Sequence, residues 1–183
     1  MTSTIYLGFL NGYSPSWAED LAPRVSQAFS LPTQPIDLEL DLDLYYAPER
    51  RQYHATLIIA RLLRYLPELD SKIVGITSLD LFIPVLTFVF GQSQLDGAAA
   101  LVSTHRLHSE FYGLPADIDL LFERTVKEVV HELGHAFGLV HCPDYLCVMK
   151  ASTYVEDVDI KKASLCSECQ ATLIDRSGKP SHR

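Results

Sequence analysis

Apolar residues change their period several times along this chain, and each change marks an element. The run TIYLGFL (4–10) is continuous, short and ended by the turn-forming NGYSPS, as a buried strand would be. In SWAEDLAPRVSQAFS (16–30), Trp17, Leu21, Val25 and Phe29 recur at helical spacing. IDLELDLDL (36–44) alternates strictly, with acids at Asp37, Glu39, Asp41 and Asp43, which predicts a strand with one buried and one solvated face. APERRQYHATLIIARLLRYLP (47–67) places Pro48 at a first helical position and carries an apolar stripe through Ala55, Ile58, Ile59, Leu62 and Tyr65. Strands are expected over 72–81, 86–94 and 97–107, the last two as a hairpin turning at Asp96-Gly97. PADIDLLFERTVKEVVHELGHAFGL (115–139) reads as a long helix opened by Pro115 and acids and closed near Gly138. CSECQATLIDR (166–176) reads as a last helix, and the polar tail 175–183 as a frayed end. This order indicates an α/β layer with a mostly parallel sheet, to which the hairpin adds one antiparallel strand.

Composition narrows the function classes. The 183 residues suffice for one sizeable core, and a net charge of −8 argues against a nucleic-acid partner. The longest apolar run, LFIPVLTFVF (81–90), is too short to span a bilayer, and MTSTIYLGFL lacks the basic start of a secretory signal. The expectation is a soluble, cytoplasmic monomer with no membrane or nucleic-acid partner.

The chemistry concentrates in VVHELGHAFGLVHCPDYLCVM (129–149). His131 and His135 stand four residues apart, so their imidazoles leave one helix face a turn apart, as two ligands of one zinc do. Glu132 lies beside the first ligand, placed to take a proton from water activated by the metal. Gly138 allows the abrupt left-handed exit that would swing His141 back to the same ion. Three protein ligands leave a fourth position open, the arrangement of a catalytic zinc. The full HELGHAFGLVH pattern would arise by chance in roughly a few chains in 100,000 at ordinary composition.

All four cysteines lie in the last quarter as two close pairs, Cys142/Cys147 and Cys166/Cys169. This is the pattern of a closed four-thiolate zinc site, with disulfides and an iron–sulfur cluster as the other readings. A closed site would be structural, tying the loop 142–147 to the helix at 166.

HELGHAFGLVH followed by Met149 resembles the metzincin metallopeptidases, and the cysteine after the third histidine with C-x4-C-x-M and a later C-x2-C resembles the archaemetzincins among them. The resemblance implies a mixed twisted sheet with one antiparallel edge strand, a backing helix, an active-site helix and a small C-terminal part. The corresponding division is 1–138, with the sheet and both helices, and 139–183, with the third histidine, the methionine turn and the cysteines. It further implies two zinc ions: a catalytic one on His131, His135 and His141 with Glu132 as general base, and a structural one on the four cysteines. Phe88, Val89, Phe90 and Gly91 are the candidate edge strand for aligning an extended peptide. Some metzincins carry a tyrosine two residues after the turn methionine. Ala151 stands there, and Tyr154 is the nearby candidate for supporting the transition state. The leading function is peptide-bond hydrolysis. The alternatives are a zinc-containing peptide-binding module with little turnover and a hydrolase of non-peptide amides. His105, Arg106 and His108 read as a polar loop that could border the cleft, and His54 as a packing or surface residue.

Overall fold

The computed structural model describes residues 4–177, so residues 178–183 of the expected frayed tail lie outside it. The elements run β1 (Ile5–Leu10), α1 (Ala18–Phe29), β2 (Thr33–Leu38), β3 (Tyr46–Ala47), β4 (Gln52–His54), α2 (Ala55–Leu62), β5 (Lys72–Thr77), β6 (Leu81–Phe82), β7 (Gly91–Ser93), β8 (Ala99–Ser103), α3 (Ile118–Ala136), α4 (Val155–Ile160) and α5 (Ser167–Ser177). The main sheet has the order β2-β1-β5-β8-β7, parallel except for β7, which pairs antiparallel with β8 at the edge. The mixed sheet with one reversed edge strand is as expected.

Alternation along the central strands explains the layers. In β8, Ala100 and Val102 face one side and Ala99 and Leu101 the other, while in β5 Val74 and Ile76 oppose Ile73. Val126, Val129, Val130 and Leu133 of α3 pack on the first face together with Leu21 and Val25 of α1. Ile58, Ile59 and Leu62 of α2 cover the second. Each such side chain contributes about 1.5–3 kcal/mol on burial. The first cluster continues through Leu139, Cys142, Cys147, Val148 and Met149 to Leu173 of α5, so the cysteine-bearing segment shares the core of the sheet.

Several boundaries move from those the periodicity predicts. The strand expected at 36–44 runs from Thr33 to Leu38. Beyond Leu38 the Asn11 side chain takes over the pairing: its amide donates to the Leu40 carbonyl (2.8 Å) and its oxygen accepts from the Leu40 N–H (2.9 Å). A short 3-10 turn then occupies Leu42–Tyr45. The helix expected at 47–67 starts only at Ala55, because 46–54 forms a small hairpin of β3 and β4. Pro48 opens the turn of that hairpin, Arg51 adopts the left-handed conformation (φ 56°), and the Gln52 amide is pinned to Asp80 and the Thr87 carbonyl. His54 packs on the Phe82 ring. The strand expected over 72–81 divides into β5 and β6, and that over 97–107 ends at Ser103 before a 3-10 turn. The 115–139 helix begins after Asp117, whose carboxylate accepts the Leu120 N–H at 2.9 Å, so an aspartate cap and not Pro115 opens it. The six-residue α4 carries too little periodicity to be read from sequence.

Candidate active site

Helix α3 lies under the edge of the sheet and presents His131, Glu132 and His135 to an open cleft of about 390 Å³. At its C-terminus Gly138 has φ 88°, the Gly138 N–H donates to the His135 carbonyl and the Leu139 N–H to that of Gly134. This left-handed exit turns the chain back so that His141 borders the same cleft. The Nε2 atoms of His131 and His135 lie 3.1 Å apart. Two ligands of a tetrahedral zinc at about 2.05 Å would be ~3.3 Å apart. One ligand nitrogen from each of the three histidines falls within 4.8 Å of the others. The tautomers are set from behind: His131 Nδ1–H donates to the Val148 carbonyl (2.8 Å) and His135 Nδ1–H to that of Leu139 (2.7 Å), leaving both Nε2 lone pairs for a metal. Burial is the main cause that lowers all three imidazoles below their ordinary range, with the Lys161 charge also acting on each. Lowered values keep the rings neutral, the form that ligates.

Glu132 is 6% exposed. Burial pushes its carboxyl up to about 8, helped by the neighbouring Glu128 and opposed by a hydrogen bond from Ser93 and by the Lys161 charge. The cleft above it is walled by Ile83, Leu86, Val89, Leu95 and Val140. Of the candidate edge residues, Gly91 alone belongs to β7. Val89 lines the cleft but pairs with Leu81, whereas Phe90 joins the ladder through its carbonyl, which accepts the Ser103 N–H at 2.8 Å. Phe88 and Phe90 turn into a separate apolar cluster with Leu107, Leu121, Val155 and Val158, and the strand expected at 86–94 is confined to Gly91–Ser93. Tyr154 is 67% exposed at the start of α4, where its backbone N–H donates to Asp157, and it does not border the cleft. Arg106 is held by Asp80 and His105 by the Ser78 carbonyl, so that loop also stands away from the cleft.

The four thiol sulfurs form a second cluster, within 4.8 Å of one another and without a disulfide. Cys142 Sγ and Cys166 Sγ lie 3.8 Å apart. That is far beyond a disulfide length of about 2.05 Å and close to the ~3.75 Å edge of a tetrahedron with zinc–sulfur bonds of 2.3 Å. The Cys166 N–H points at Cys147 Sγ (3.4 Å), as backbone donors around thiolates do.

Sequence reasoning missed three features. Lys161, with no exposed side-chain surface, makes an ion pair of 3.0 Å with Glu128, which is 4% exposed. Gly134 is small because a side chain there would fall on Met149 Sδ. Ser93 lines the cleft beside Glu132 and its hydroxyl acts to lower that carboxyl. The spacing of Glu128, three and four residues before His131 and Glu132, was the one readable sign that it shares their face.

Neutral imidazoles converging beside an acid, on a helix beneath a strand with a free edge, are what a zinc metallopeptidase requires, and comparison with known proteins puts this chain in that class. The model of peptidase family M54 matches residues 29–175. The archaemetzincin of Thermococcus kodakarensis is 41% identical over 174 residues, covering 89% of this chain and 91% of its own. That of Methanocaldococcus jannaschii is 42% identical over 139 residues, 75% of each chain. The crystal structure of Methanopyrus kandleri archaemetzincin superposes with a TM-score of 0.84 at 34% identity, over 97% of both chains. That of the Archaeoglobus fulgidus protein, complexed with malonate, gives 0.76 at 35% identity over 92% of this chain and 98% of its own. The chain belongs to peptidase family M54, and its relatives are archaemetzincins.

Proposed function

We propose that this metallopeptidase hydrolyses an extended peptide held along β7, with Glu132 as the general base and His131, His135 and His141 as ligands of the catalytic zinc. A zinc ion in that position supplies a Lewis acid that acidifies water and polarises the scissile carbonyl. Glu132 takes the proton from the attacking water and returns it to the departing amine nitrogen. Burial raises that carboxyl to about 8, and a dication held by the three imidazoles beside it would bring it back toward the range of a base near neutral pH. The free edge of β7 offers main-chain donors and acceptors to a strand-like substrate, and the apolar walls exclude water from the reacting bond. The four cysteines hold a second, structural zinc. The chain is read as a cytoplasmic monomer; four unbridged thiols fit a reducing compartment.

The observation that carries this reading is the convergence of three imidazoles, two of them tautomer-fixed, beside a buried glutamate on the floor of one cleft. The test compares wild type and Glu132→Ala on a mixed peptide library, with metal content measured for both. Cleavage by wild type and its loss in Glu132→Ala, at equal zinc content, is the expected result. Equal inertness of both with zinc bound would leave the binding-module reading, and cleavage of small amides but not peptides would favour a non-peptide substrate.

A further inference from the structure

The edge strand does a second job besides offering its open side. Strand periodicity puts Gly91 and Ser93 on one face of β7 and Gln92 on the other. The Gln92 side chain reaches Thr56 on α2 (3.0 Å), so the face with 91 and 93 is the one turned to α3. A side chain at Gly91 would start 2.7 Å from Glu132 Cγ, 2.9 Å from its Oε1 and 2.9 Å from the Leu101 carbonyl oxygen. The backbone conformation of Gly91 is open to any residue, since the left-handed glycines of the described chain are Gly12, Gly113 and Gly138. What position 91 requires is therefore room, and the room is taken by the stem of Glu132. Two residues on, Ser93 lines the same cleft as Glu132, and its hydroxyl acts to lower that carboxyl against the effect of burial.

We propose that the inner face of β7 is the positioning device for the general base: Gly91 admits the Glu132 side chain under the strand and Ser93 fixes its carboxylate by a hydrogen bond. The proposal rests on Glu132 acting as the base. Its consequence is that one three-residue strand serves both partners of the reaction, pairing the substrate along its edge and holding the base on its face. A peptide in register on β7 is then automatically in register with Glu132. Gly91 and Ser93 are positioning residues; neither touches the reacting bond.

The test uses the full chain loaded with zinc, in four forms besides wild type: Ser93→Ala, Ser93→Thr, Gly91→Ala and Glu132→Ala. Crystal structures read the position of the Glu132 carboxylate directly, and metal content is measured for each. Zinc content is expected to be equal throughout, with the carboxylate displaced in Ser93→Ala and Gly91→Ala and in place in Ser93→Thr. Kinetically, Ser93→Ala should lower kcat about tenfold, the worth of one hydrogen bond. Gly91→Ala should lower it up to about a hundredfold, as a misplacement near 1 Å does. KM should stay within about twofold for both, and Ser93→Thr should recover most of kcat. A carboxylate that stays at its wild-type position in Ser93→Ala overturns the proposal even if Gly91→Ala, which also crowds Leu101, fails to fold. Glu132→Ala as active as wild type would instead sink the general-base reading while the crystallographic result still decides the clamp.

Discussion

Replacing Lys161 by methionine should be among the most damaging substitutions outside the two ligand clusters. Lys161 has no exposed side-chain surface, and its Nζ lies 3.0 Å from Glu128 Oε1. The two groups are paired by charge more than by hydrogen bonding, since Glu128 Oε1 accepts no aligned hydrogen bond and the Nζ donor points to the Lys150 carbonyl at 3.3 Å. At an effective dielectric of 20, unit charges at that separation attract by about 5.5 kcal/mol. Lys161→Met removes that attraction and leaves a carboxylate that is 4% exposed without a counter-ion. Breaking one side of a buried pair costs about 3–5 kcal/mol. For a chain of this size that corresponds to roughly 6–20 °C in Tm. The assay is urea unfolding of the zinc-loaded chain, with Glu128→Leu and the double variant Lys161→Met/Glu128→Leu completing a cycle. The double variant should recover most of the loss, because two well-packed apolar side chains replace the pair without a stranded charge. A Lys161→Met chain within about 1 kcal/mol of wild type would refute the reasoning, as would a double variant no better than either single.

Three further outcomes are expected. Alanine at an interior helical glycine normally stabilises by about 1 kcal/mol, but Gly134→Ala should destabilise by about 1–3 kcal/mol because its methyl meets Met149 Sδ; a rise in Tm would contradict this. In the metal-free chain, burial depresses His131, His135 and His141, so the unfolded state takes up protons first and stability should fall as pH drops below about 6.5. Glu132 acts with the opposite sign: its raised value makes the folded state hold a proton longer, so its contribution is present below 4.5 and is lost as pH rises through about 8. Tm against pH for chelator-treated wild type and Glu132→Gln checks both, the variant lacking only the loss between about 4.5 and 8. Finally, Cys166→Ser/Cys169→Ser should halve the zinc content of a protein binding two ions, and should also weaken retention of the remaining one against a chelator. Full retention in a folded variant would show the two sites to be independent.

How much of this could be read from the chain follows from what each feature depends on. The pairing of the two α3 histidines is legible because helical geometry alone puts positions 131 and 135 on one face. Gly138 is legible because a sharp helix exit calls for a left-handed residue, and the chain adopts one there (φ 88°). The fold class follows from the alternation of buried runs, since a strand covered on both faces reads as continuous and a helix as periodic. The boundaries at Leu38 and Ala55 were not legible, because distant side chains decide them: Asn11 replaces the ladder beyond Leu38, and Asp80 and the Thr87 carbonyl hold Gln52 in β4. The same holds for Lys161, whose partner Glu128 is 33 positions away in the chain. Lys161, in a pair with Lys162 after a run of acids, reads as solvated, and only the fold reveals it to be buried.

The join between the two ligand clusters lies in three consecutive residues, Cys147, Val148 and Met149. Cys147 stands in the thiol cluster. The Val148 carbonyl accepts from His131 Nδ1, while the Val148 N–H donates to the Ser164 carbonyl at 3.0 Å, close to the second cysteine pair. The Met149 carbonyl accepts the Cys142 N–H at 3.0 Å, and its sulfur fills the space left by Gly134 directly beneath the histidine-bearing turn of α3. On the other side of that contact, His141 and Cys142 are neighbours in the chain, so their Cα atoms are fixed about 3.8 Å apart. The third imidazole is thus aimed by a residue tied to the thiols, and the first is oriented by a carbonyl tied to them as well. An ion drawing the four sulfurs together would tighten both ties at once, and such a brace would act on the histidines through the backbone of this turn.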